Sequence, residues 1–507
     1  MFRHAHFSQP KRKKATNMAI DDNIIVTIEL GSSRITAIAG HKQPDGAINV
    51  LAHVQKKSDS FIRKGRINNI NKTVQCIHDI KEHLEKKLQK SITRVYVGVG
   101  GMGLHSVRNS VTRHLGEKTQ ITEDIVRNLL DSNRTMPGND REILEVIPQK
   151  YILGAQETED AVGIAAESIE GQFLNIVASA SVNQDIRDCF SQKGIGIAGI
   201  PISHCALANT ILSEPEKRSG CVFVDMGAET TSVAVYRNNL LRHLAIIPLG
   251  GASINRDLCS LQIEDEEAES LKRQYGSAYR ENTEGHAPIV LQDSRTVSFE
   301  DFSGLVEARM EEIILNINNQ IALSGYDKSQ LIGGLIVAGG AACMKDTDKA
   351  FLKYTGFEKM RFVKNIRQQV RVEGKAQGNF NADGSYNTAI ALIDKCELNC
   401  CGAELGTETV DIFGNNMAGN EIPVSKPSTG GVTGLQNNGE HTPSVSGEAG
   451  GQAVSDNSLT ENEQEVVQKQ KGPGAFTKMW RKFSEVARKV VADEEPIINE
   501  EEKKEKK

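Results

Sequence analysis

Two segments of this chain share one grammar. IVTIELGSSRITAIAG (25–40) and VFVDMGAETTSVAVY (222–236) each run an apolar strand into a carboxylate, then a glycine two residues on, then Ser or Thr, then a second apolar strand. β-Branched runs around a Gly turn predict two β-hairpins. In the first the carboxylate is Glu29 and the turn is Gly31-Ser32-Ser33, followed by Arg34; in the second they are Asp225 and Gly227, followed by Thr230 and Thr231. A phosphate chain needs this layout. Glycine lets backbone N–H groups approach phosphate oxygens, and hydroxyls add hydrogen bonds. A carboxylate at each strand end, Glu29 and Asp225, can hold the water shell of Mg²⁺. Either block alone reads as an ordinary hairpin. Their repetition predicts a duplicated α/β core with a cleft between the halves.

The rest of the chain fits around that core. At 507 residues and 38% hydrophobic content there is apolar side chain for one or two large cores. A net charge of -6, from 60 basic and 66 acidic residues, excludes a general nucleic-acid coater, so no nucleic-acid partner is expected. The nine Cys sit mostly in apolar runs, which fits reduced thiols; Cys396, Cys400 and Cys401 read as an ordinary domain edge rather than a partial metal site. The twelve His show no HxxxH or HExxH spacing. The uncharged stretch from Gly194 to Ser213 is broken by Pro201 and reads as a turn plus a buried helix, not a span. MFRHAHFSQPKRKK lacks an apolar stretch and reads as a basic leader, with Met18 as an alternative start.

Along the chain, INVLAHV is a third strand, and Lys72 to Lys90 is a helix with Val74, Ile77, Ile80 and Leu84 on one face. RVYVGVGG (94–101) is another strand. The polar segment from about Gly103 to Gly171 suggests mixed short elements, with a helix start at Thr122. A strand-turn-helix follows from Phe173. EEAESLKRQYG is a helix within the charged stretch 263–304. GGLIVAGGAACM (333–344) is a buried strand ending in Gly339-Gly340, where a flat ring or ribose could pack on backbone. SYNTAIALID closes the folded part as a helix.

Phosphate loop one, phosphate loop two and a Gly-Gly adenosine loop, in that order, resemble the actin, Hsp70 and sugar-kinase superfamily. Within it, IELGSSRITAIAG, RVYVGVGG, FVDMGAETTSVAVYRNNLLRHLAIIPLGGASINRDL and EEAESLKRQYG resemble the FtsA family of bacterial cell-division proteins, over about residues 20–395. The resemblance implies an actin-like α/β fold: two duplicated halves around an ATP–Mg²⁺ cleft, with an inserted subdomain 1C. It implies a leader at 1–19, then subdomain 1A at 20–92 and 173–212, 1C at 93–172, 2A at 213–255, 2B at 256–330, and a return through 2A and 1A at 331–395. It also implies that Glu269 lies near ribose and Lys272 near the base. Two positions depart from the family pattern. Ala228-Glu229 stand where many relatives have Gly-Gly, which narrows the room for a γ-phosphate. Ser203, in PISHCALANTIL, stands where actin-like ATPases place a Gln or Glu to orient the attacking water, so ATP binding with weak or absent hydrolysis is expected.

After Cys401 the composition turns to Gly, Asn, Ser, Thr, Glu and Pro, and 396–472 reads as a disordered linker. About 70 flexible residues reach about 45 Å end to end. GAFTKMWRKFSEVARKVV then places Phe476, Met479, Trp480, Phe483, Val486 and Val490 at helical spacing, with Arg481 and Lys482 among the cations beside that face. The pattern predicts an amphipathic helix over 473–492 that lies in an anionic membrane surface, with Trp480 as its anchor, followed by a solvated charged tail at 493–507. By resemblance, the protein polymerises on the inner face of the cytoplasmic membrane at the division site. It would hold the FtsZ C-terminal tail on 2B and contact later divisome proteins through 1C. The alternatives are a sugar or small-molecule kinase of the same superfamily, or a PilM-type actin-like scaffold.

Overall fold

The Cα trace repeats one five-stranded arrangement twice. In the first half the strands run in the order Ile48–Lys57, Arg34–Lys42, Ile25–Leu30, Arg94–Gly98, Gly196–Gly199. In the second they run Leu240–Ile247, Thr231–Arg237, Cys221–Met226, Gly334–Ala338, Met360–Phe362. The first three strands of each set pair antiparallel and the last two join in parallel. This computed structural model describes residues 23–135, 141–281, 286–373, 380 and 383–404. All of them lie in the first of the two units, Met1–Asn420 and Glu421–Lys507, into which the chain divides. The leader at 1–19, most of the linker, the amphipathic helix at 473–492 and the tail lie outside the described residues.

The expected hairpins form because their strands are apolar on both faces and both faces are covered. Along Cys221–Met226, Cys221 and Phe223 face the first core while Val222, Val224 and Met226 face a second one. That is the two-residue alternation of a central strand. Helix Ile70–Leu88 starts at Asn69, whose side chain accepts from the Lys72 amide, and buries Val74, Ile77, Ile80 and Leu84 as expected. Helices Ser203–Ile211 and Asn387–Lys395 pack together behind the first sheet, and Thr27 donates to the Ala389 carbonyl at 2.9 Å.

Three features differ from expectation. The segment after Gly103 carries not short elements but long strands: His105–Gln120, Arg141–Leu153 and Ala165–Ser179. Helix Glu123–Arg134 packs on them over a small core that includes Leu129, Tyr151, Ile169 and Phe173. Most side chains there stay half-exposed or exposed, so no apolar run marks the strands. This insert follows the fourth strand of the first sheet in sequence. Its own sheet, however, joins the second half at a single pairing, His105 with Ala245. Helix Phe299–Leu323 was not anticipated, although Phe302, Val306, Met310, Ile313 and Ile317 recur at helical spacing and are all buried. The assigned linker also begins too early. The Cys400 amide donates to the Ile24 carbonyl at 2.7 Å, and Cys401–Glu404 pairs with Lys90–Ile92. Backbone pairing orders residues whose composition alone looked like linker.

Phe223 is 0% exposed at the junction of the two cores, whereas Leu323 is 58% exposed at a helix end. Phe223→Ala should lose about 3–5 kcal/mol of stability and Leu323→Ala less than about 0.5 kcal/mol, read from urea unfolding midpoints.

Candidate functional site

The duplicated topology places two carboxylates at the same point of each half. Glu29 pairs in parallel register with Gly98, and Asp225 with Ala338. Each partner strand then runs into glycine, at Gly100-Gly101 and Gly339-Gly340. Gly339 has φ +96°, and a Cβ there would lie 2.4 Å from the Met226 carbonyl and 2.6 Å from Asp225 Oδ1. Only glycine fits. Burial, and next the Asp225 carboxylate, push the Glu29 carboxyl up to about 7; His204 and Arg34 pull the other way. His204 is buried between the Gly100 carbonyl, 3.0 Å from Nε2, and Asp225 Oδ2, 3.5 Å from Nδ1. Burial works to lower this imidazole, but Asp225, together with the Gly100 carbonyl and Glu29, outweighs it and the net direction is upward.

The two glycine turns are braced differently. In the first, Gly31 O accepts from the Ser58 hydroxyl at 2.6 Å and Ser33 O from the Ser58 amide at 3.1 Å. Ser32 Oγ accepts from the Gly65 amide at 2.7 Å, and the Arg34 guanidinium donates to Gln55 at 3.2 Å. In the second, the Gly227 amide donates to Thr230 O at 2.8 Å. The start of helix Gly251–Leu258 grips this turn from outside: Gly251 N donates to Gly227 O at 3.0 Å and Ala252 N to Ala228 O at 2.7 Å. A Cβ on Gly250 would come within 2.6 Å of both carbonyls.

Farther along the cleft, Lys272 Nζ lies 3.0 Å from the Gly251 carbonyl and 2.5 Å from Glu269 Oε2. Burial works against a charged Glu269, yet Lys272, Asn255 and Arg273 hold it down to about 2. Ala341, just past Gly339-Gly340, lies 3.4 Å from where a Gly251 Cβ would sit. Beside this loop opens a cavity of about 310 Å³ lined by Val337, Gly339, Ala342, Met344, Thr347 and Phe362, among others. Gly227, Lys272 with its partner Glu269, and Ala341 of the Gly339-Gly340 loop thus meet around Gly251. Glu29 and Asp225 come together at the floor, with Gly31, Ser32 and Ser33 on the other side.

Comparison with known proteins gives this cleft a family. The model for "Cell division protein FtsA" matches residues 222–391, and that for "SHS2 domain inserted in FTSA" matches 101–177. Cell division protein FtsA of Porphyromonas gingivalis is 31% identical over 344 residues, covering 66% of this chain and 71% of that protein. The chain belongs to the FtsA family of cell-division proteins. FtsA of Neisseria meningitidis serogroup B is 29% identical over 330 residues, 63% of this chain and 79% of that one. Among solved structures, a PilM–PilN type IV pilus biogenesis complex superposes with a TM-score of 0.51 at 13% identity, over 73% of this chain and 98% of that one. That likeness supports the actin-like fold, and FtsA membership selects the cell-division alternative over a sugar kinase or a PilM-type scaffold.

Two residues expected to face phosphate are engaged elsewhere. Thr231 is fully buried and its hydroxyl donates to the Leu249 carbonyl at 2.9 Å, because it opens a central strand. Glu229, expected to crowd a γ-phosphate, turns instead toward the first half, where Arg63 and the Lys64 amide hold it. Ser203 Oγ lies where a Gly98 Cβ would approach to 2.6 Å and has no hydrogen-bond partner. Sequence reasoning missed Gly250-Gly251, although a glycine pair between strand and helix was a signal. It also missed His204, for which a lone His in an apolar helix gave none.

In the unfolded chain Glu29 titrates near 4.5 and in the fold near 7. Between those values the fold holds a proton that the unfolded chain releases, so stability falls as pH rises through that window. Glu29→Gln removes the loss. With nucleotide and metal chelated away, the variant's advantage over wild type should grow between pH 5 and pH 8 by on the order of 3 kcal/mol. A difference independent of pH in thermal melts would contradict this.

Proposed function

We propose that this FtsA-family chain binds ATP with Mg²⁺ in the cleft, assembles into filaments on the inner face of the cytoplasmic membrane, and tethers the FtsZ ring there. The observation that carries the nucleotide reading is the pairing of Glu29 and Asp225 at equivalent strand ends, each two residues before a glycine turn. A buried carboxyl whose proton affinity is raised by burial and by a second carboxylate suits a hydrated cation, and the close-packed backbone at Gly31, Gly227 and Gly339 suits phosphates and a nucleoside. Mg²⁺ would neutralise the phosphates. Glu29 and Asp225 hold the cation through water; the Gly31–Arg34 and Gly227–Thr230 turns present amides and hydroxyls; Glu269 meets ribose and Lys272 the base. Ser203, packed on Gly98, is poorly suited to orient a water, which favours ATP as a ligand that closes the cleft over ATP as fuel.

The membrane part rests on the pattern of Phe476, Met479, Trp480, Phe483, Val486 and Val490 beside Arg481 and Lys482. Among the described residues no helix is long and apolar enough to cross a membrane, so a surface-lying helix supplies the attachment. Residues 256–330 form the subdomain that takes the FtsZ tail, and 93–172 the one that meets later divisome proteins and a neighbouring protomer.

The test is co-sedimentation of the full chain with anionic liposomes and FtsZ, with and without ATP. Wild type should carry FtsZ down with the vesicles, more so with ATP. Trp480→Glu should leave both in the supernatant, and Asp225→Ala should remove the response to ATP. Unchanged sedimentation of Trp480→Glu would sink the tether.

A further inference from the structure

The short hairpin Ile62–Arg63/Arg66–Ile67 touches both glycine turns at once. Its Gly65 amide donates to Ser32 Oγ at 2.7 Å in the first turn. Its Lys64 amide donates to Glu229 Oε2 at 2.6 Å in the second turn, and Arg63 Nη1 donates to Glu229 Oε1 at 3.0 Å. The hairpin is rigid at this point. Lys64 and Gly65 both have positive φ, at 49° and 70°. A Cβ on Gly65 would lie 2.6 Å from Gly101 Cα, and Met102 N closes onto Lys64 O at 2.8 Å.

Glu229 therefore spans the cleft. It belongs to the second half, its partners belong to the first, and its side chain is only 8% exposed. The other pair across the cleft, Lys57 with Glu266 at 3.7 Å, has side chains 83% and 93% exposed and contributes little. A buried carboxylate holding a guanidinium and a backbone amide is the stronger kind of contact. Its oxygens hold the same hairpin whose next amide holds Ser32 Oγ, so one short hydrogen-bonded path joins the two turns across the cleft.

We propose that Glu229 is a built-in clasp: its carboxylate does the bridging work of a terminal phosphate, so the cleft closes around a nucleoside diphosphate as well as around a triphosphate. The clasp rests on the reading of this cleft as a nucleotide site; the contact itself does not. The two are separated by two readouts on the full chain.

Hydrogen–deuterium exchange of nucleotide-free protein follows the amides of Lys64 and Gly65 in a peptide covering 61–68. Glu229→Ala should speed their exchange at least about tenfold relative to wild type, and Arg63→Gln should move in the same direction by less. Unchanged exchange in Glu229→Ala overturns the clasp. Calorimetry then compares Mg²⁺-ATP with Mg²⁺-ADP. Wild type should bind the two within about threefold of each other, and Glu229→Ala should favour ATP by at least about tenfold, with Glu229→Gln between. A wild type that already prefers ATP tenfold, or a ratio that Glu229→Ala leaves unmoved, overturns the substitution for phosphate. Exchange that rises in Glu229→Ala while neither nucleotide binds supports the clasp and counts against the nucleotide reading.

Discussion

Everything in the cleft is arranged around two carboxylates that face the same small volume. Glu29 and Asp225 lie at the ends of the central strands of the two halves, and the Asp225 carboxylate, after burial, makes Glu29 harder to ionise. Like charges held together away from water are unfavourable unless a cation or a proton joins them. Without a metal, His204 and a raised Glu29 proton affinity carry that burden. Duplication sets the arrangement: Glu29 pairs with Gly98 in one half and Asp225 with Ala338 at the equivalent point of the other. Glycine follows each partner strand: nothing larger fits at Gly339 beside Asp225, at Gly100 beside His204, or at Gly101 beside Gly65.

Around that floor, each turn is held by a different neighbour. Ser58 and Gly65 brace the first, Gly250 and Gly251 brace the second, and Lys272 links the second to the helix Asp265–Tyr275. Each brace is one or two hydrogen bonds from its glycine turn. Glu229 adds the contact that spans the halves.

Much of this was legible from the chain. The two hairpins and the Gly339-Gly340 strand announced themselves by apolar runs and glycine punctuation, because both their faces are buried, and helix 70–88 and helix 265–275 by helical spacing, because each buries one face. The insert's long strands did not, since a sheet packed on one side by a single helix leaves half-exposed residues that resemble loop. Helix 299–323 was legible in its own spacing but was masked by the charged run before it. In the site, the residues that sequence selected were those at glycine turns and strand ends, where a local pattern marks them. Those it missed act through tertiary contact alone: His204 across from Asp225, and Arg63 and Lys64 beneath Glu229. Thr231 was selected for its chemistry and lost to its position, as a strand residue whose hydroxyl already has a partner.

The most direct test of the central claim is a crystal structure of the full chain grown with Mg²⁺ and a non-hydrolysable ATP analogue. The account predicts phosphates between the Gly31 and Gly227 turns and a hydrated cation shared by Glu29 and Asp225. A nucleotide bound elsewhere, or one bound in the cleft with its cation away from both carboxylates, would contradict it.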